Sequence, residues 1–226
     1  PPGIRASVAR GATVAVFVAM LATFSILRPD SFPTLANLQA ILDQLHGSDG
    51  IEVVGAISDK PEAQALERAR RAGVETAVFP ASDYEDRERR DRAIGDWLEQ
   101  REVDLVVLAG YMQLLSPQFV KRFRNRIINV HPALLPAFPG VEAVQQALDH
   151  GSKITGVTVH FVDEGVDSGP IIFQRPVAIP PSRDWEETEE LIHATEHELL
   201  PEAIRLIAAG RVTVDERSRR VEIRGE

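Results

Sequence analysis

Short apolar runs rich in β-branched residues alternate along this chain with longer stretches whose apolar positions recur every three or four residues. The first pattern predicts strands over 13–19, 51–57, 75–79, 104–109, 127–130, 155–162 and 171–178. The second predicts helices over 37–46, 61–72, 84–101, 117–123, 141–150 and 185–209. Leu105-Val106-Val107-Leu108-Ala109 is apolar without a break, as expected of a strand covered on both faces. Such alternation predicts an α/β fold, a mostly parallel twisted sheet with helices on both faces. Asp59-Lys60-Pro61-Glu62 reads as a helix start with Pro near the first helical position, and Gly73 as that helix's end. Beyond 210, Val212, Val214, Val221 and Ile223 alternate with charged residues around Arg217–Arg220, which predicts a small edge hairpin or a tail. The expected organisation is an unassigned segment 1–11, a single domain over 12–210 and the hairpin or tail over 211–226.

The N-terminal pattern admits two readings. Arg5 and Arg10 precede an apolar run over 12–27, the basic-then-apolar order of a signal peptide. The run is short for a membrane span. The strand–helix alternation that follows favours a Val-rich buried first strand, so a membrane partner is not expected.

Composition narrows the function classes. The 226 residues, 44% apolar and 26% charged, are those of an ordinary globular chain. There is no cysteine, which excludes disulfides and thiolate metal sites. The net charge of −9, with acidic residues spread along the chain, argues against a nucleic-acid partner.

The candidate chemistry sits where strands end. Asn129 and His131 share one side of the strand over 127–130, and Pro132 and Pro136 stop it from continuing. Asp167 follows in the acidic loop Asp163–Gly169. An Asn amide can donate to an oxygen that becomes negative, an imidazole titrates near neutral pH, and a carboxylate orients it and favours its charged form. No Ser or Cys nucleophile belongs to this trio, which points to acyl transfer with the nucleophile supplied by the substrate. In a parallel sheet, Gly110–Met112 and the 163–169 loop would converge on the same crevice. His193-Ala194-Thr195-Glu196-His197 has the spacing of a zinc-peptidase helix, but a catalytic zinc needs a third ligand and an open position, and no metal is expected.

These residues resemble the folate-dependent formyltransferases. The resemblance rests on Asn129-x-His131-Pro132-x-Leu134-Leu135-Pro136 and Asp167-x-Gly169-Pro170-Ile171. It is narrowed by Phe138-Pro139-Gly140, Ala147-Leu148-x-x-Gly151 and Thr155–Asp163 towards the members that act on phosphoribosylglycinamide in purine biosynthesis. It runs from about Asn37 to Gly210. The resemblance implies a Rossmann-like formyltransferase fold, a cytoplasmic enzyme, monomeric or homodimeric, and 10-formyltetrahydrofolate as formyl donor. It implies that Asn129 and protonated His131 stabilise a tetrahedral intermediate while Asp167 assists proton transfer. It also implies a folate pocket from Arg87, Met112, Leu114, Leu115, Val162 and Asp163, and contacts from Asn37 and Glu196 to the ribonucleotide substrate. A transfer-RNA formyltransferase would carry a further nucleic-acid-binding domain, and a formyl-folate hydrolase an N-terminal regulatory one.

One segment departs from the family pattern. A Ser/Gly-rich loop, whose amides cradle the substrate phosphate, is expected just before Asn37. Here Phe32-Pro33-Thr34-Leu35-Ala36 stands in its place, without glycine and with one residue that has no amide hydrogen. Residues 20–34 read as extra chain. An impaired relative that binds folate but not the phosphorylated substrate is the competing expectation.

Overall fold

The computed structural model describes residues 13–19, 33–111, 113–215 and 217–225, and of 17–19 and 33–35 only the main chain. The segments 1–12 and 20–32, with most of the apolar run's second half, and Met112 lie outside the described residues.

Seven strands form one sheet: β1 (Val14–Ala19), β2 (Ile51–Ser58), β3 (Thr76–Val78), β4 (Leu105–Leu108), β5 (Ile127–His131), β6 (Ile154–Phe161) and β7 (Ile171–Ala178). Their order is β3-β2-β1-β4-β5-β6-β7. The first five are parallel, and β6 and β7 are antiparallel additions at one side. Among the described residues six α-helices join them: α1 (Pro33–Leu45), α2 (Gln64–Arg71), α3 (Arg87–Glu99), α4 (Pro117–Arg122), α5 (Ala143–His150) and α6 (Trp185–Ala208).

Period-two alternation sorts the core into two layers. Leu105 and Val107 of β4 join α1 and α6 on one face, whereas Val106 and Leu108 join Ile94 and Leu98 from α3, Phe119 from α4 and Phe123 just after it on the other. In α1, Leu38, Ile41, Leu42 and Leu45 recur at helical spacing and are buried, so the stripe docks that helix on the sheet. In β5, Ile127 faces the α3/α4 layer and Ile128 and Val130 face the other. Asn129 and His131 therefore share the α3/α4 side.

Three helix starts depart most from the sequence expectation. Helix α1 begins at Pro33, four residues before the expected start. Proline suits a first helical turn, where its missing amide hydrogen costs no helical bond. Helix α2 begins only at Gln64, after a turn in which the Ala63 amide donates to the Lys60 carbonyl at 3.2 Å. Helix α3 begins at Arg87 because the Asp86 carboxylate caps it, accepting from the Arg89 amide at 2.7 Å. The C-terminal segment is a hairpin, β8 (Val212–Asp215) and β9 (Arg220–Ile223), but a separate two-stranded sheet, not an edge of the main one. Val212, Val214 and Val221 pack it against the main core.

Candidate functional site

The chain leaves β1 to place α1, β2 and β3 on one side, and crosses to β4 on the other. Between β1 and β4 the order reverses, and in open α/β sheets ligands bind at the carboxyl ends of strands beside such a point. The start of α1, the Gly110–Tyr111 turn after β4 and the end of β5 all lie at those carboxyl ends.

The structure brings Asn129, His131 and Asp167 together. His131 Nδ1 lies 3.3 Å from Asp167 Oδ2. His131 Nε2 lies 2.8 Å from the Phe138 carbonyl oxygen. The ring therefore faces two acceptors, and only the imidazolium can donate to both. Burial opposes that charge and outweighs the pull of Asp167 and the Phe138 carbonyl, and His160 adds to the lowering, so the His131 pKa falls below the ordinary histidine value. For Asp167, burial would raise the pKa. The contacts from His160, the Gly140 amide and His131 outweigh burial and hold the carboxyl below its ordinary value. Asp167 thus stays ionised at neutral pH.

A fourth residue completes the cluster, and sequence reasoning gave it no role. His160 is the cross-strand partner of Asn129 in the antiparallel β5–β6 register. Its Nε2 lies 3.4 Å from Asn129 Nδ2 and 3.6 Å from Asp167 Oδ1, and its Nδ1 lies 2.9 Å from the Phe161 carbonyl oxygen. With hydrogen on Nδ1 alone, Nε2 accepts from the Asn129 amide and fixes which way that amide points, whereas the imidazolium turns Nε2 into a donor towards Asp167, the form in which His160 lowers the Asp167 and His131 pKa values. The only sequence signal was the period-two phase of His160 with Thr158 on β6.

The turn after β5 serves both partners of the His–Asp pair. Phe138, at φ +51°, turns its carbonyl onto His131, and Gly140 donates its amide to Asp167 Oδ2 at 2.7 Å. A bulky residue in the left-handed region costs on the order of 1 kcal/mol, which the surrounding bonds must offset. Thr158, fully buried opposite His131, donates to the Ala133 carbonyl at 2.6 Å and accepts from the Leu135 amide at 3.1 Å. Gln174 Nε2 donates to the Leu135 carbonyl at 2.8 Å. The Pro-rich turn is thereby tied to β6 and β7.

Asp167 stands on a loop closed by an unusually close main-chain approach. A Cβ at Gly169 would lie 1.7 Å from the Phe161 carbonyl oxygen. Gly169→Ala is therefore expected to cost about 3 kcal/mol, because backbone must move, and to displace Asp167. Urea denaturation and formyl-transfer assays check both effects. Ser168, beside Asp167, turns its hydroxyl onto Asp163 Oδ1 at 2.8 Å and so away from the trio.

Asn37 and Glu196 meet separately, at the packing of α1 on α6. Asn37 Nδ2 donates to Glu196 Oε2 at 2.9 Å, and both residues are buried. Glu196 interrupts the apolar stripe Ile192, Leu199, Leu200, Ala203 of α6. Burial raises its pKa to about 7, with the Asn37 amide lowering it and Glu189 raising it further.

The other expected residues line the strand ends. Leu115 and Val162 pack with Tyr111 against the α3/α4 layer, while Leu114 is exposed at 56% and Arg87 is also exposed. Asp163 is partly exposed and already engaged within its own loop and by the hairpin. It accepts from the Gly165 amide at 3.0 Å, from Ser168 and from Arg219. The His-x-x-Glu-His segment is not arranged as a metal centre. The His193 and His197 rings stack with centroids 6.5 Å apart, burial holds the His193 pKa down to about 4, and Glu196 turns to Asn37. Among the described residues no group of three or more His, Asp or Glu is placed to hold a metal ion, and no helix is long and apolar enough to cross a membrane.

Sheet topology and site together define an α/β protein with an Asn–His–Asp cluster at the carboxyl ends of its strands. A family model described as formyl transferase matches residues 32–204. The phosphoribosylglycinamide formyltransferase of Haemophilus influenzae is 41% identical over 177 residues, which are 78% of this chain and 84% of that protein. The trifunctional purine biosynthetic protein adenosine-3 of Drosophila melanogaster is 43% identical over 180 residues. That alignment spans 78% of this chain but only 13% of the relative. The crystal structure of glycinamide ribonucleotide transformylase 1 from Symbiobacterium toebii matches with a TM-score of 0.85 at 44% identity, covering 94% of this chain and 95% of that one. The chain belongs to the formyl transferase family.

Proposed function

We propose that the chain transfers the formyl group of 10-formyltetrahydrofolate to the amine of 5-phosphoribosylglycinamide, a step of purine biosynthesis. The observation that carries this reading is the cluster of an amide, an imidazole and an ionised carboxylate in which the neighbouring hydroxyl, that of Ser168, is turned elsewhere. With no protein nucleophile turned into the cluster among the described residues, the attacking nitrogen is assigned to the substrate. The family and the named relatives supply the chemistry of the transferred group.

The amine nitrogen bonds to the formyl carbon, whose oxygen takes up negative charge. The bond from that carbon to the folate nitrogen then breaks as the amine loses a proton and the folate nitrogen gains one. Asn129 donates its remaining amide hydrogen to the charged oxygen. Before substrate, burial favours a neutral His131. An adjacent oxyanion adds the attraction that restores the imidazolium, and to donate to it Nε2 exchanges the Phe138 carbonyl for the substrate. Asp167 holds the ring and supports its charge.

Exposed Leu114 and half-buried Leu115 and Val162 offer an apolar wall suited to a flat pterin, with Arg87 at the rim for a carboxylate and Met112 the remaining expected member. Asn37 and Glu196 suit the sugar hydroxyls of the nucleotide. The main-chain amides at the first turn of α1 take the phosphate, a role that orphan helix amides can serve.

Purified protein supplied with both compounds is expected to release tetrahydrofolate only when the ribonucleotide is present, and not when His131→Ala replaces the native chain. Folate release without ribonucleotide identifies a hydrolase instead. Calorimetry that registers folate but no ribonucleotide supports the impaired relative, a reading favoured by the helical Pro33–Ala36 turn where a glycine loop was expected.

A further inference from the structure

We infer that Arg219, at the tip of the C-terminal hairpin, is a positioning residue that straps the Asp167 loop in its working place. The inference rests on the role proposed for Asp167.

The loop between β6 and β7 carries Asp167 at φ +47°. Its start and its end are bridged by one cation. Arg219 Nη2 donates to the Asp163 carboxylate and, at 2.8 Å, to the Ser168 carbonyl oxygen, the residue after Asp167. Asp163 in turn gathers the Gly165 amide and the Ser168 hydroxyl, so the guanidinium closes a small network around the loop. Arg219 is itself aimed by its turn. Its amide donates to the Asp215 carbonyl at 2.8 Å, and the Asp215 carboxylate accepts from the Arg217 amide and the Ser218 hydroxyl at 3.0 and 2.6 Å.

The hairpin does not fill the space beside the loop. A cleft of about 390 Å³ lies between the Ser168–Ile171 segment and Arg219–Val221. The loop thus has room to move on that side, and the Arg219 bridge spans the gap. A partly exposed ion pair contributes little to global stability. Its consequence lies in placement, because a displacement of about 1 Å in a reacting constellation can lower a rate by up to 10²-fold.

The groups acting on His131 are Asp167, His160 and the Phe138 carbonyl. Of these, Asp167 rides on the strapped loop. Loosening the loop weakens its support and leaves burial and His160 to depress the imidazolium further.

Arg219→Ala keeps the left-handed backbone cost of an L residue and removes only the bridge. It is expected to lower kcat about tenfold, to leave KM for the ribonucleotide unchanged, and to move the His131 titration to lower pH, followed by NMR of the ring in the substrate-free protein. Because one nitrogen makes both contacts, Arg219→Lys should recover part of the rate. Arg220→Ala, one residue along the same cleft, should behave as the native chain. Should R219A not fold, R219Q carries the same test. Native kcat in R219A overturns the inference in an active enzyme. If the native chain transfers no formyl group, the proposed reaction fails. The strap then stands with a shifted titration and falls with an unshifted one.

Discussion

Asp167→Asn is expected to lower kcat about a thousandfold with little change in either KM, the scale seen when an acid–base pair loses its carboxylate. Asparagine tolerates the left-handed φ of +47° that position 167 requires, so the main chain should stay as it is. Its carbonyl can still accept from the Gly140 amide, which now reaches Asp167 Oδ2 at 2.7 Å. What changes is the face towards the imidazoles. A neutral amide replaces a charge 3.3 Å from His131 Nδ1, and burial, already the largest influence on that ring, goes unopposed except by the Phe138 carbonyl. The imidazolium needed beside an oxyanion then forms at greater cost.

A stability measurement separates this electrostatic loss from damage to the fold. The Asp167 pKa is lower folded than unfolded. Its charge therefore stabilises the native state above the ordinary carboxylate range, and the contribution disappears as pH falls through the folded value. D167N should be slightly less stable than the native chain at pH 7 and equal to it in strong acid. Steady-state kinetics with both substrates and urea denaturation at the two pH values check the pair of effects. A native kcat in D167N would remove Asp167 from the chemistry.

The sequence made some of these features legible and hid others for physical reasons. β4 was visible because a doubly covered strand has no polar position to interrupt it, and Leu105–Leu108 has none. Asn129 and His131 were visible as a pair because two residues on one strand share a face whatever lies beside them. His160 was hidden because its place depends on the antiparallel register that sets it opposite Asn129. A single strand carries no record of its neighbour's direction. The Phe138 carbonyl and the Gly140 amide were hidden too, since a backbone group has no residue type to announce it, and a phenylalanine at positive φ runs against preference. The start of α1 was misplaced for another cause. The resemblance led to a loop before Asn37, whereas Pro33-Thr34-Leu35-Ala36 has a helix-opening proline and no glycine. Local preference there agrees with the structure.

Glu196→Gln should stabilise the protein and weaken its hold on the nucleotide. Unfolded, Glu196 titrates near its ordinary value of 4.5, and folded it titrates near 7. Between these values the native chain keeps a proton that the unfolded chain has released, so stability falls as pH rises from about 4.5 to about 7 and stays reduced above. The shift corresponds to about 3 kcal/mol. Glutamine carries no charge to desolvate, still accepts from the Asn37 amide, and offers a donor to Asn37 Oδ1, which is buried without a partner. Among the described residues no cation pairs with Glu196, and its hydrogen bond is with the Asn37 amide on a neighbouring helix. An apolar stripe interrupted by a destabilising acid is understandable if hydroxyl donors of a sugar complete its shell on binding. E196Q is thus expected to unfold at higher temperature than the native chain at pH 8, to match it at pH 4.5, and to raise KM for the ribonucleotide at least tenfold. Binding to the native protein should also release a proton near pH 7, because donors favour the carboxylate. Thermal unfolding at both pH values and calorimetry in buffers of different ionisation enthalpy measure these effects. A gain in stability with an unchanged KM would assign Glu196 to helix packing alone.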